Sequence, residues 1–140
     1  MTAILDISFL VATVDIKDEN YERVLDIIVD LKEVLVLPTT VLPEVFHLLT
    51  SRLGYPTTKQ VLTELANSNV IIEGINKTDL KRVTEILTQY ADSELDFVDA
   101  TIVAIAERLN ITKILTLDKP IFSIINPQHC AGFEIFPSCQ

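Results

Sequence analysis

Tryptophan is absent from this chain, glycine occurs three times in 140 residues, and aromatic side chains make up only 6%. Against an apolar fraction of 49%, that composition argues against a long disordered tract and for one domain with a proper core. The few aromatic residues are mostly flanked by apolar ones, so no base-stacking platform is evident. No apolar run reaches the ~18–20 residues that a membrane helix needs, and no membrane span is expected. The opening residues MTAILDISFLVATVD are apolar but carry Asp6 and no basic leader, so they do not read as a secretion signal and a cytoplasmic location is expected. Cysteine is scarce as well. Cys130 and Cys139 lack the spacing of a zinc site or a redox pair and are expected to be reduced thiols. Positive charge is in short supply: 11 Lys and Arg face 20 Asp and Glu, a net charge of -9. Binding nucleic acid by charge alone requires the opposite balance. Either the chain does not bind nucleic acid, or cations or a basic protein partner neutralise acids gathered at one place.

What is present is an alternation of apolar runs and amphipathic segments. AILD predicts a buried strand over residues 2–5, and VLVLP a second over 34–37 closed by Pro38. NVIIEGI, TKILTLD and FEIF supply the rest. Between them, Val24, Ile27, Ile28 and Leu31 recur at helical spacing and predict a helix over 20–33. TTVLPEVFHLLTSRLG predicts another, capped by Thr39 or Thr40, with Pro43 in its first turn and Gly54 at its end. Further helices are expected over 8–14, 59–66, 78–90 (with Leu80, Val83, Ile86 and Leu87 inward), 97–109 and, shorter, 119–125. Strands without internal alternation, separated by helices, predict a parallel sheet covered on both faces. No repeat or linker interrupts the pattern, so residues 1–140 read as a single domain.

In open α/β sheets, ligands bind beyond the carboxyl ends of the strands. Asp6 follows the first strand, Glu44 opens the helix after the second, and Asp118 follows the fourth. Asp99 sits in the first turn of a helix whose other residues, Ala100, Ile102, Val103, Ala104 and Ala106, leave it little wet surface. Each acid has an ordinary alternative: Asp6 or Asp96 can cap a helix, Glu44 suits a helix dipole, and Asp118 suits a turn before Lys119-Pro120. Their joint placement carries the argument. Carboxylates crowded together repel and their pKa values rise. A divalent cation removes that cost, and an all-oxygen site favours Mg²⁺ or Mn²⁺ with several retained waters and room for a substrate phosphate. Such an ion lowers the pKa of a water and stabilises in-line displacement at phosphorus, which points to hydrolysis of a phosphodiester.

The segments ILDISFLVA, TTVLPEVFHLL and, most specifically, LDFVDATIVAIAERLNITKILTLD resemble the PIN domain family, and within it the VapC-type ribonuclease toxins. The resemblance covers nearly the whole chain. It implies a three-layer α/β/α sandwich with a central, mainly parallel twisted sheet of four to five strands. It places the family's acidic pocket on Asp6, Glu44, Asp99 and Asp118, with Asp96, Ser8 and Thr116 as auxiliary residues. It further implies Mg²⁺- or Mn²⁺-dependent cleavage of single-stranded RNA, a cognate antitoxin that is basic where it meets the pocket, and a homodimer. In the mechanism expected, Asp6 and Asp99 bind the main ion, while Glu44 and Asp118 hold a second ion or orient the attacking water.

Two other classes compete. One is a catalytically inactive PIN-like binding or regulatory module, against which the presence of all four core acids argues. The other is an aspartyl phosphatase, which wants a second acid two residues after its nucleophile, where this chain has Ser8. Glu44 and His47 form E-x-x-H, a spacing used in di-iron bundles, but no second copy exists and the chain does not read as a four-helix bundle. Arg52 and Lys119 are candidates for touching a substrate phosphate, with a solvated surface charge as the ordinary alternative.

Overall fold

The structure is a computed structural model that describes residues 2–117 and 119–137, with the side chains of Lys119 and Pro120 left aside. Among the described residues, five strands form one sheet: β1 (Thr2–Leu5), β2 (Val34–Pro38), β3 (Ile71–Glu73), β4 (Lys113–Leu115) and β5 (Glu134–Phe136). Seven α-helices connect and cover them: α1 (Ile7–Val14), α2 (Tyr21–Asp30), α3 (Leu42–Leu53), α4 (Tyr55–Ala66), α5 (Lys77–Gln89), α6 (Phe97–Leu109) and α7 (Lys119–Ser123). A 3-10 turn, Thr39–Val41, leads into α3.

The sheet order is β3-β2-β1-β4-β5, and every pairing is parallel. Strand β1 is the hub. Ala3 pairs with Leu35 on one side and Lys113 on the other, and Ile4 with Val36 and Ile114. Successive strand residues point to opposite faces, yet Ala3, Ile4 and Leu5 are all buried. Both faces of the sheet are therefore covered, which is why these strands read as unbroken apolar runs. From β1 the chain first adds strands on one side and later on the other. The carboxyl ends of β1 and β4 thus flank the point where the winding reverses, the place where such sheets leave a crevice.

The predicted fold class agrees with this architecture, and β1 and α6 have the predicted bounds. Other details differ for local reasons. The cap expected from Thr39 or Thr40 is absent. The 3-10 turn intervenes, and Thr40 Oγ1 instead meets Thr101 Oγ1 of α6 at 2.8 Å. Helix α4 begins right after Gly54, whose φ of 89° lets the chain turn from α3 without a Cβ clash, with Pro56 in its first turn. On α5, Val83 and Ile86 are buried as expected, but Leu80 is exposed and Asp79 takes the buried position.

Asp79 is stabilised from two directions. It forms a reciprocal capping box with Asn76: the Asp79 N–H donates to Asn76 Oδ1 at 2.8 Å, and the Asn76 N–H donates to Asp79 Oδ2 at 3.0 Å. Arg108, in the last turn of α6, donates Nε to both Asp79 oxygens at 3.0 and 3.1 Å and pairs with Glu73 at 3.2 Å. The pair clamps the end of α6 to the start of α5 and so fixes the helix that carries Asp99. Asp79→Ala removes the carboxylate that accepts from the Asn76 N–H and leaves Arg108 short of its buried partner. The expected loss is about 3 kcal/mol, read in urea unfolding as a lower midpoint with an unchanged slope.

Candidate active site

A cleft of about 260 Å³ opens beyond the carboxyl ends of β1 and β4, lined by Asp6, Ile7, Ser8, Glu44, Glu94, Asp96, Val98, Asp99 and Ile121. Asp6 is the first residue after β1. Its backbone N–H still donates to Leu115 O at 3.0 Å, so the ladder to β4 holds it in place, and the residue is buried. Glu44 comes from the first turn of α3, where Pro43 occupies an early position whose missing N–H costs nothing. Asp96 and Asp99 come from the start of α6. Three of the acids expected to converge, Asp6, Glu44 and Asp99, therefore line one cleft, with Asp96 beside them. The fourth, Asp118, lies outside the described residues.

Hydroxyls organise the Asp6 end. Thr116 Oγ1 donates to Asp6 Oδ2 at 2.7 Å, and Ser8 Oγ lies 3.4 Å from the same oxygen and 3.2 Å from Thr116 Oγ1. The Leu117 N–H donates to Ser8 Oγ at 2.9 Å, which anchors that hydroxyl to the segment after β4. Ser8 and Thr116 thus engage the carboxylate itself. An aspartyl phosphatase's second acid has no place here, because the position two residues after Asp6 holds this hydroxyl.

Asp96 and Asp99 form a capping box of the same kind as Asn76 and Asp79. The Asp99 N–H donates to Asp96 Oδ1 at 2.8 Å, and the Asp96 N–H donates to Asp99 Oδ2 at 3.3 Å. The surroundings of the two boxes are opposite. Asp79 meets Arg108, whereas Asp99 has no cationic partner among the described residues and faces Asp96 and Asp6. Burial, then the neighbouring Asp96 and Asp6 charges, push the Asp99 carboxyl up to about 7, although the Asp96 N–H favours its charged form. Glu44 is raised too, first by desolvation against the cleft wall and then by the charges of Asp96 and Asp6, although its side chain still reaches solvent. The charges of Asp96 and Asp6 thus act on both Asp99 and Glu44.

The donor set is hard oxygen throughout, which suits Mg²⁺ or Mn²⁺. Among the described residues no three Asp, Glu, His or Cys side chains form a ligand set by themselves. Glu94 also lines the cleft, and sequence reasoning gave it no role; only its position two residues before Asp96 hinted at it. His47 lines a neighbouring hollow instead of the acid cleft. Arg52 is turned to Asp15 and Asp18, at 3.4 and 3.7 Å, and does not line the cleft.

The PIN domain family model matches residues 3–124. The chain belongs to the PIN domain family. A curated relative, ribonuclease VapC26 of Mycobacterium tuberculosis, is 29% identical over 134 residues, covering 96% of this chain and 99% of that protein. Among solved structures, VapC20 of M. tuberculosis, described as a sarcin–ricin-loop-cleaving toxin, superposes with a TM-score of 0.78 at 21% identity, over 85% of this chain and 92% of its own. VapBC2 of Rickettsia felis, solved bound to a DNA fragment from its promoter, superposes with a TM-score of 0.72 at 15% identity, over 97% and 99%. These PIN-fold neighbours share the architecture of this chain. No described helix is long and apolar enough to cross a membrane.

The raised Asp99 carboxyl carries a signed consequence. Its folded pKa lies above its unfolded value, so it contributes stability that is complete below about pH 4 and lost as pH rises through about 7. Without divalent cations, Tm is expected to fall as pH rises from 5.5 to 8.5. Asp99→Asn, which keeps an oxygen for the capping box, should flatten part of that fall and raise Tm at pH 8. Parallel melting curves across this range check it, and identical pH slopes for the two proteins would contradict it.

Proposed function

We propose that this chain is a metal-dependent endoribonuclease that hydrolyses phosphodiester bonds of single-stranded RNA, and the toxin of a type II toxin–antitoxin pair. The observation that carries the reading is the gathering of Asp6, Glu44, Asp96 and Asp99 in one cleft at the reversal point of a PIN-fold sheet, where burial and then the charges of Asp96 and Asp6 raise Asp99 and Glu44. The curated relative's description as a VapC ribonuclease supports it.

In this reading Asp6 and Asp99 hold the main Mg²⁺ or Mn²⁺, and Glu44 and Asp118 hold a second ion or orient the attacking water. When bound, the metal acidifies a water and offsets charge developing at phosphorus. Thr116 and Ser8 aim Asp6 by hydrogen bonding to its carboxylate. Asp96 fixes the first turn of α6 and thereby the Asp99 side chain. Glu44, raised and partly exposed, is placed to take a proton from a water in the cleft. The reading extends to residues 1–140 as a single domain, a homodimer, a cytoplasmic location and a basic antitoxin. Opposite charge speeds encounter, so a -9 chain suits a basic partner.

Asp6→Asn and Asp99→Asn should abolish cleavage of a short single-stranded RNA and the Mn²⁺-induced rise in Tm, and EDTA should silence the wild type. Thr116→Val, which removes only the hydroxyl that aims Asp6, should cost about 10- to 100-fold in metal affinity or rate. Calorimetry with Mn²⁺ decides against the nearest rival: no heat of binding in wild type or Asp99→Asn would favour a catalytically inactive binding module. Association with a basic peptide should weaken steeply with salt, and indifference to salt would count against the antitoxin reading.

A further inference from the structure

Beside the acid cleft lies a second hollow of about 470 Å³, lined by Ile7, Pro43, Glu44, His47 and Leu48. Ile7 and Glu44 line both, so the two hollows share a wall. The chain makes this unavoidable. Ile7 follows Asp6 directly at the start of α1, and His47 lies three residues beyond Glu44, on a neighbouring part of the same face of α3. The seat is otherwise aliphatic, from Ile7, Pro43 and Leu48. His47 is the sole ring with hydrogen-bonding atoms among the lining residues, it is exposed, and among the described residues it has no hydrogen bond or ion pair.

A strand laid across the acid cleft needs a hold other than the usual contacts from Lys and Arg to phosphate. No described Lys or Arg lines either hollow. Four cations elsewhere are committed to carboxylates: Arg52 to Asp15 and Asp18, Arg82 to Glu107, Arg108 to Asp79, and Lys113 to Glu33. Among its described lining residues the second hollow offers an apolar seat with one exposed aromatic ring, the chemistry that grips a base by its face.

We propose that this hollow is the subsite for the nucleobase flanking the scissile phosphate. The His47 imidazole stacks on the base, and Ile7, Pro43 and Leu48 form its seat. The proposal rests on the ribonuclease reading above and adds to it a residue that grips substrate without joining the acid cluster. Because stacking accepts every base, the subsite positions the strand and gives only a modest preference among bases.

The test compares wild type, His47→Ala and His47→Phe on one short single-stranded RNA. Steady-state cleavage is measured with Mn²⁺, and fluorescence anisotropy of the labelled RNA with Ca²⁺ in place of Mn²⁺. His47→Ala should raise KM and Kd about tenfold, while His47→Phe, which keeps a stacking face, should stay within about threefold of wild type. The Mn²⁺-induced rise in Tm should be the same in all three, which separates loss of the subsite from damage to the metal-binding acids or the fold. If wild type cleaves RNA and His47→Ala matches it in KM and Kd, or if phenylalanine fails to restore binding, the subsite is refuted and the ribonuclease reading stands. If wild type binds RNA in a His47-dependent way but cuts none, the ribonuclease reading and the scissile-phosphate assignment fall together, and only a grip on an RNA base at His47 remains. If it neither binds nor cuts, both fall.

Discussion

Crowding of carboxylates at the mouth of a parallel sheet is the constraint around which this molecule is arranged. Negative charges within a few ångströms of one another, partly removed from water, cost free energy in the folded state. The fold keeps Asp6, Glu44, Asp96 and Asp99 lining one cleft nonetheless, and burial with the neighbouring charges raises Asp99 and Glu44. The core beneath them is largely apolar and the β1 pairings are continuous on both sides. Stability supplied there allows an electrostatically unfavourable cluster to persist at the carboxyl ends of the central strands, as is common where function requires a local violation of the folding rules.

The two capping boxes display the same economy in a comparison internal to the chain. Asn76 and Asp79 start α5 and Asp96 and Asp99 start α6 with equivalent reciprocal hydrogen bonds. At α5 the second acid is neutralised by Arg108, and the result is a structural clamp. At α6 the second acid faces other acids, and the result is a charged cleft. The local motif is therefore neutral as to role, and its role follows from what the rest of the fold brings opposite it. A partly buried hydroxyl pair extends the same logic. Thr101 Oγ1 donates to Val98 O at 2.6 Å, so Thr40 is left to donate to Thr101 across 2.8 Å. That bond ties the turn before Glu44 to the helix bearing Asp99 and sets the relative position of two acids that are 55 residues apart in the chain.

The charge balance then has consequences for what can approach. A surface with net charge -9 repels polyanions unless cations intervene. The structure sharpens this, because Arg52, Arg82, Arg108 and Lys113 are paired with carboxylates away from the cleft. In the reading proposed above, an RNA strand meeting this face would depend on bound divalent ions for its phosphates and on apolar or stacking contacts for its bases. A basic protein segment would meet no such barrier. The asymmetry between a substrate that needs metal and an inhibitor that needs only its own charge is a simple physical basis for silencing an enzyme of this kind.

Much of this was legible in the chain. Period and run length determined the alternation of strands and helices, because a strand covered on both faces must be apolar throughout and a helix on its flank must be amphipathic. They also located Asp6 after β1 and Asp99 inside the first turn of α6, since both positions depend on local pattern alone. Long-range geometry escaped that kind of reading. That Thr40 would bond Thr101 instead of capping a helix, that Leu80 would yield its inward place to Asp79, that Glu94 would turn into the cleft, and that His47 would stand free beside a shared wall all depend on which elements become neighbours. The sequence by itself determined which residues were acidic, apolar or able to cap, because those are properties of side chains and their spacing. Only the tertiary structure decided which acids would meet a cation and which would meet each other, because electrostatic energy depends on distances that the chain acquires when it folds.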